Sequence, residues 1–293
     1  MQPMEALTTT DDAKTRMFDS QPFSADLLAG STAIVTGGGS GLGRGIAIGL
    51  AACGASVAVT GRRREKLDSV VQEIEAAGGT ASAATCDVRD PVAVEAMMTT
   101  VEDAIGPADL LVNNAGATFT LPTLDMSPNA FRAVVETDAF GTFYLCREFG
   151  RRRVASKAGG AILNITSTSP YTGNPGRVHG GVGKAGVDSL TKSLAVEWGP
   201  YGIRVNALAP GYTPTRGVDA ATGVSPDEDE HDAHLAGIAA GVPLQRVGVV
   251  EDILWPAVFL MSSAARFVNG ATLVVDGGKW LSSGRSAAAG QPN

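Results

Sequence analysis

A short apolar run, a cluster of glycines and a helical stripe follow one another between Thr32 and Leu50, and that order constrains the whole chain. Thr32-Ala-Ile-Val-Thr36 suits one buried strand, the glycines from Gly37 cannot continue it, and Leu42, Ile46 and Leu50 recur at helical spacing. The alternation repeats downstream. A strand at 57–60 precedes a stripe of Leu67, Val70, Val71 and Ile74 that ends at Gly78-Gly79, and a strand at Thr80–Thr85 precedes one of Val94, Met97, Met98, Val101 and Ile105. Further strands are expected at 109–112, 161–165, 203–207 and Thr272–Val275. Ser127-Pro128 opens a long helix through Phe131, Val134, Val135 and Phe143, and another helix spans about Lys184 to Trp198. Pro256 interrupts the apparent helix at 251–261 and leaves its boundary open.

Strands that alternate with helices of this length specify right-handed crossovers and a parallel sheet covered on both faces. The expected fold class is therefore α/β, a doubly wound parallel sheet of about seven strands in one domain over residues 29–280. Residues 1–28 read as an N-terminal extension in which Phe18, Phe23, Leu27 and Leu28 dock on the body, and 281–293 as a flexible tail. The stretch 213–245 has weak periodicity, an acidic run from Asp227 to Glu230 and two histidines, and reads as a mobile lid over the substrate.

A net charge of −7 excludes nucleic acid or an anionic membrane as the main partner, since both demand a basic footprint. Three cysteines, Cys53, Cys86 and Cys146, form no CxxC pair and suggest neither a disulfide framework nor a zinc site. No apolar run approaches the ~18 residues of a membrane span. The N-terminal sequence lacks signal-peptide character and Gln291-Pro292-Asn293 is not a peroxisomal address, so the expected location is cytoplasmic.

The segment Thr36-Gly37-Gly38-Gly39-Ser40-Gly41-Leu42-Gly43 lies where a strand hands over to a helix. Its glycines let the backbone approach a pyrophosphate, which the free N–H groups and dipole of the helix N-terminus favour. After the second strand an NAD enzyme places a carboxylate for the adenosine 2′-hydroxyl; here Arg62 follows Gly61 instead. A guanidinium suits a 2′-phosphate, and the expected cofactor is NADPH.

With these, Cys86-Asp87-Val88, Asn113-Asn114-Ala115-Gly116, a serine after the 161–165 strand, Lys184, and Pro210-Gly211 with Thr215 resemble the ordered landmarks of the Rossmann-type short-chain dehydrogenase/reductase family over about Leu28 to Trp280. The resemblance implies that Gly37, Gly39, Ser40, Gly41, Leu42 and Gly43 hold the pyrophosphate and that Asp87 and Val88 hold the adenine. It further implies that Asn113 to Gly116, with Ala115 among them, line the nicotinamide ribose, that Lys184 binds its hydroxyls, that Pro210 and Gly211 belong to the cofactor site, and that Thr213 or Thr215 meets the carboxamide. A homotetramer is also implied.

The chain departs from that family where chemistry is done. The usual tyrosine four residues before the lysine is Gly180, and the usual asparagine of the preceding helix is Asp138, whereas Ser167 and Lys184 remain. Together with Val178-His179-Gly180-Gly181-Val182-Gly183-Lys184, Ala195-Val-Glu-Trp198 and Asp276-Gly-Gly278-Lys-Trp280, these changes resemble the peroxisomal-type 2,4-dienoyl-CoA reductases and, less closely, the trans-2-enoyl-CoA reductases. That resemblance implies reduction of a carbon–carbon double bond in an acyl-CoA thioester.

Ketone reduction needs a proton on oxygen, a task suited to tyrosine; reduction of a conjugated alkene needs it on carbon. Asp138 is the candidate donor, with a pKa that must be raised to serve, and Tyr171, four residues after Ser167, is a displaced alternative. His179 reads as a local hydrogen-bonding residue, and His231 and His234 lack a third ligand for a metal. Two rival readings are a carbonyl or alcohol oxidoreductase using Tyr171 and a non-catalytic nucleotide-binding sensor. The acidic lid disfavours CoA phosphates, which Arg151, Arg152 and Arg153 offset only if they lie near the mouth.

Overall fold

The computed structural model describes residues 21–215, 217 and 228–282. Phe18, Asp227, most of the N-terminal extension and the tail beyond 282 lie outside the described residues. Seven strands, β1 Thr32–Thr36, β2 Ser56–Gly61, β3 Thr80–Thr85, β4 Leu110–Asn113, β5 Gly160–Ile165, β6 Ile203–Pro210 and β7 Thr272–Val275, form one sheet in the order β3-β2-β1-β4-β5-β6-β7. Every pairing is parallel, as crossover connections dictate. Between β1 and β4 the order of winding reverses. Just beyond the carboxyl ends there, diverging loops leave a crevice for a ligand.

Helices α1 Gly41–Ala52, α2 Arg64–Ala76, α3 Pro91–Ile105 and α4 Pro128–Val135 follow the first four strands. Then come α5 Gly141–Ala155, the short α6 Ser169–Thr172, α7 Val178–Trp198, α8 Glu228–Ala240 and α9 Val250–Met261. Alternate residues of a strand face opposite sides of the sheet. Ala33 and Val35 accordingly pack with Ile46, Leu50, Val70 and Leu254 of α1, α2 and α9, whereas Ile34 packs with Met98, Leu145 and Phe149 of α3 and α5.

Three elements differ from the periodicity. The long helix expected from Ser127 is interrupted by a π-helical turn, Glu136–Phe140, between α4 and α5. Helix α7 begins at Val178, six residues before the lysine, because apolar spacing carries no signal through its glycine-rich first turns. Helix α9 runs through Pro256 rather than stopping there, closed at its start by the Asp252 carboxylate, which accepts from the Val249 N–H at 2.9 Å. The segment read as a lid contains a formed helix, α8. Phe23 packs on Trp255 and Leu28 is buried in the core, so the described end of the extension is docked.

Candidate active site

A cleft of about 720 Å³ opens at the carboxyl ends of β1, β2, β4 and β5. Its floor is the turn after β1. The Thr36 hydroxyl accepts from the backbone N–H groups of Asn114 and Ala115, both at 3.0 Å, and the Asn114 amide donates to the Thr36 carbonyl at 2.9 Å. The loops after β1 and β4 are thereby tied together. A Cβ on Gly37, whose φ is +63°, would lie 2.9 Å from Asn114 Nδ2, and one on Gly43 would lie 2.4 Å from the same atom. Neither position admits a side chain. Helix α1 starts with no side-chain cap and no acidic residue in its first turn, which leaves its N–H groups and dipole available to an anion.

At one end of the cleft stand Arg62, Arg63 and Lys66, whereas Arg64 turns away to pair with Asp68. Among the residues that line the cleft, the first carboxylate after β2 is Asp87, beyond β3. Arg89 grips Asp87 with two nitrogens, Nε at 3.0 Å and Nη2 at 2.5 Å, and these hydrogen bonds hold the carboxyl down at about 2. It is therefore an anion, and an acceptor, throughout the physiological range. A glycine cradle that excludes side chains, an uncapped helix start and a cationic end without a competing acid fit a phosphorylated dinucleotide.

The other end holds the candidate chemistry. The π-helical turn carries Asp138, only 1% exposed, so that Oδ1 accepts from the Ala117 N–H at 2.9 Å and Oδ2 stands 3.9 Å from Lys184 Nζ. Burial pushes the Asp138 carboxyl up, against opposing pulls from Lys184, the Ala117 N–H and His179. Lys184 Nζ donates to the Ile165 carbonyl at 2.9 Å. A Cβ on Gly116 would lie 3.1 Å from Asp138 Oδ1 and 3.4 Å from Lys184 Nζ, so both charged groups converge on a bare stretch of backbone. Ser167 lines the same wall and its Oγ accepts from the Ser169 N–H at 3.3 Å. At Gly180 the nearest atom to an added Cβ is Thr118 Oγ1 at 3.8 Å, so space stands open where the family tyrosine would be.

Gly37, Gly39, Ser40, Gly41, Leu42, Arg62, Asp87, Val88, Ala115, Gly116, Asp138, Ser167, Lys184 and Thr215 all line this cleft. Gly43 lies beneath it. Asn113, Pro210, Gly211, Thr213 and Tyr171 are not brought into it. The Asn113 amide is buried and donates to Asn164 Oδ1 at 2.8 Å, because strand alternation turns its side chain away from Asn114. Thr213 is buried beside Gly248. The Tyr171 hydroxyl donates to Asp188 Oδ2 at 2.5 Å and its ring packs near Trp280. His179 is wholly buried behind the wall, its Nδ1 accepting from the Gly180 N–H and its ring edge against Phe119. Arg151 and Arg152 bind Glu148, Glu95 and Glu102, and Arg153 binds the Gly159 carbonyl, so this run does not serve the mouth.

The sequence reading missed the latch role of Asn114 and the lining by Lys66, Arg89, Thr118, Phe119, Asn174 and Arg177. Arg89 carried a signal, two residues after Asp87; Asn174 and Arg177 lie in an aperiodic Gly/Pro loop that carried none. Among the described residues no cluster of His, Cys, Asp or Glu could hold a metal, and no helix is long and apolar enough to cross a membrane.

A profile of the family described as Enoyl-(Acyl carrier protein) reductase matches residues 37–279. The chain is 38% identical over 272 residues to a peroxisomal 2,4-dienoyl-CoA reductase of Arabidopsis thaliana, covering 90% of this chain and 89% of that protein. It is 39% identical over 249 residues to a probable 2,4-dienoyl-CoA reductase of Bacillus subtilis (strain 168), covering 85% and 96%. Among solved structures, a gluconate 5-dehydrogenase from Burkholderia cenocepacia J2315 in complex with NADP and tartrate superposes with a TM-score of 0.79 at 33% identity, covering 87% of this chain and 97% of that one. With the sheet order, the glycine cradle and the lysine of the reaction centre in place, the chain belongs to the short-chain dehydrogenase/reductase family.

Proposed function

We propose that this enzyme is an NADPH-dependent reductase of a conjugated carbon–carbon double bond in an unsaturated acyl-CoA thioester. One observation carries the reading: the ionisable side chain at the reaction centre is a buried carboxyl beside Lys184, and a glycine occupies the tyrosine position. The relatives named 2,4-dienoyl-CoA reductase support the same substrate class.

When bound, the reduced nicotinamide supplies a hydride to the distal carbon of the conjugated system. Negative charge then collects on the thioester oxygen, where the Ser167 hydroxyl, whose oxygen already accepts from Ser169, has its proton free to donate. Lys184 holds the ribose hydroxyls and lends positive charge to the same region. Asp138 returns the proton to carbon, directly or through a water held between it and Lys184, which balances the hydride and leaves a reduced acyl chain. Arg62, with Arg63 and Lys66, would hold the 2′-phosphate, and Asp87 would hold the adenine. Tyr171, held by Asp188, acts outside this sequence.

The functional domain spans 29–280, with 213–245 closing over substrate. Half-exposed Phe140 and Phe143, which pack about Tyr144, support association between copies of the chain, a homotetramer by resemblance to the family, and three free, buried cysteines support a reducing compartment such as the cytoplasm. The test is NADPH oxidation with a 2,4-dienoyl-CoA, a 2-enoyl-CoA and simple ketones side by side. Turnover of the conjugated thioesters and none of the ketones is expected. Ketone turnover with none of the dienoyl-CoA transfers the case to carbonyl chemistry.

A further inference from the structure

Beside its apolar lining, the substrate half of the cleft carries polar groups that a plain fatty tail leaves without partners. Beyond Lys184, toward the start of α7, the lining includes Thr118, Ser169, Asn174 and Arg177 beside Phe119 and the bare backbone of Gly180 and Gly181. A Cβ on Gly181 would meet nothing within 4 Å, so the surface of α7 is open between Lys184 and Arg177 at that position. Arg177 stands at the end of that stretch. Its Nε donates to Thr120 Oγ1 at 3.0 Å, which fixes the plane of the guanidinium. Among the described residues Arg177 makes no ion pair, whereas Arg64 and Arg89 are each matched to a carboxylate. An oriented guanidinium whose Nε is engaged presents its two terminal nitrogens as a fork, the geometry that takes a carboxylate with two parallel hydrogen bonds.

Building on the proposed acyl-CoA reductase reading, we infer that Arg177 binds a carboxylate on the acyl group, and that the preferred substrate is the CoA monothioester of an unsaturated dicarboxylic acid. Position decides between the anions of such a substrate. Arg177 precedes Lys184 by seven residues of α7, about 10 Å along the helix axis. The CoA diphosphate sits at the far end of the pantetheine arm, so an anion this close to the reaction centre belongs to the acyl chain. Asn174, whose backbone carbonyl accepts from the Arg177 N–H at 3.1 Å, lines the same end of the cleft, and the carboxylates of the described lining are Asp87 and Asp138.

The experiment compares 2,4-octadienoyl-CoA with the CoA monothioester of octa-2,4-dienedioic acid in the unmodified enzyme, Arg177→Leu and Arg177→Lys. The expected ratio of kcat/KM, carboxylate substrate over methyl-ended substrate, is well above one, and Arg177→Leu lowers it about 10- to 100-fold, as loss of a charge-assisted hydrogen bond implies. Arg177→Lys, with its charge but no fork, falls between. A ratio at or below one in the unmodified enzyme, or one that Arg177→Leu leaves unchanged, overturns the inference. Calorimetric binding of free octanedioate to the NADP⁺ complex provides a readout independent of turnover. If neither thioester is reduced, the reductase reading fails, and octanedioate still decides the Arg177 site: binding weakened about tenfold or more by Arg177→Leu upholds it, and equal or absent binding in the unmodified protein overturns it.

Discussion

Burial raises the pKa of the Asp138 carboxyl, the direction a proton donor needs, against the pull of Lys184, the Ala117 N–H and His179. Since the folded-state pKa is raised, the proton is kept to a higher pH than in the unfolded chain and is lost as pH rises through the folded value. The group's contribution to stability has the same sign: full below the unfolded pKa and lost as pH rises through the folded one. Turnover should therefore fall on the alkaline side, and Asp138→Asn should remove that limb while lowering single-turnover reduction by about two to four orders of magnitude. NADPH affinity, carried elsewhere in the cleft, should hardly move. A single-turnover rate within about threefold of the parent is far below any general-acid contribution and would make Asp138 structural. Asp138, Ser167 and Lys184 were legible in sequence because each stands at a fixed offset from a glycine or strand landmark. Asn113 and Tyr171 show the limit of that method: an offset gives the position of a backbone, whereas strand alternation and the Asp188 carboxylate decide where those two side chains go.

At the scale of elements, the proposed reaction centre is a contact between the π-helical turn and α7. The turn displaces the register of the helix it interrupts, and Gly183 lets α7 approach until an added Cβ would lie 2.9 Å from Asp138 Cβ. Two glycines of α7 then predict opposite outcomes for one substitution. Gly181→Ala, with nothing within 4 Å, should stabilise the protein by about 0.5–1 kcal/mol through helix propensity alone. Gly183→Ala has the same propensity gain but must push the turn away, at an overpacking cost of about 1–3 kcal/mol. It should also lower turnover tenfold or more, since a displacement on the order of 1 Å misplaces a reacting group. Urea midpoints read the first effect and steady-state kinetics the second; a stabilised, fully active Gly183→Ala protein would show that the close approach is incidental. The strands were legible because each is a short apolar run between turn residues. The π-helical turn and the early start of α7 were not, since one extra residue in a helical turn and a glycine-rich helix start leave the apolar stripe without a readable phase.

At the scale of the whole molecule, one sheet with an apolar layer on each face leaves no part of the described residues with a core of its own. Trp255 packs on the layer of α1, α2 and α9, and Trp198 on that of α3, α5 and α7, so tryptophan fluorescence reports both faces at once. Fluorescence and circular dichroism should therefore lose structure in one coincident transition. The proposed nucleotide site spans the sheet reversal, from Arg62 after β2 to Lys184 opposite β5, and a dinucleotide bound there must be released before either half unfolds. Ligand linkage makes this quantitative: at a hundred times its dissociation constant the cofactor adds about 2.7 kcal/mol. For a domain of this size that is a rise in Tm of roughly 5–10 °C. NADP⁺ at a fixed concentration should raise Tm more than NAD⁺ does, because Arg62, Arg63 and Lys66 have a 2′-phosphate to bind only in the first case. Arg62→Asp should reverse the order, since its carboxylate repels the 2′-phosphate and accepts from the 2′-hydroxyl. The Tm without cofactor should stay within a degree or two, because Arg62 is exposed and makes no ion pair among the described residues. Equal shifts by the two cofactors in the unmodified protein would show that the cationic end of the cleft does not read the 2′-phosphate.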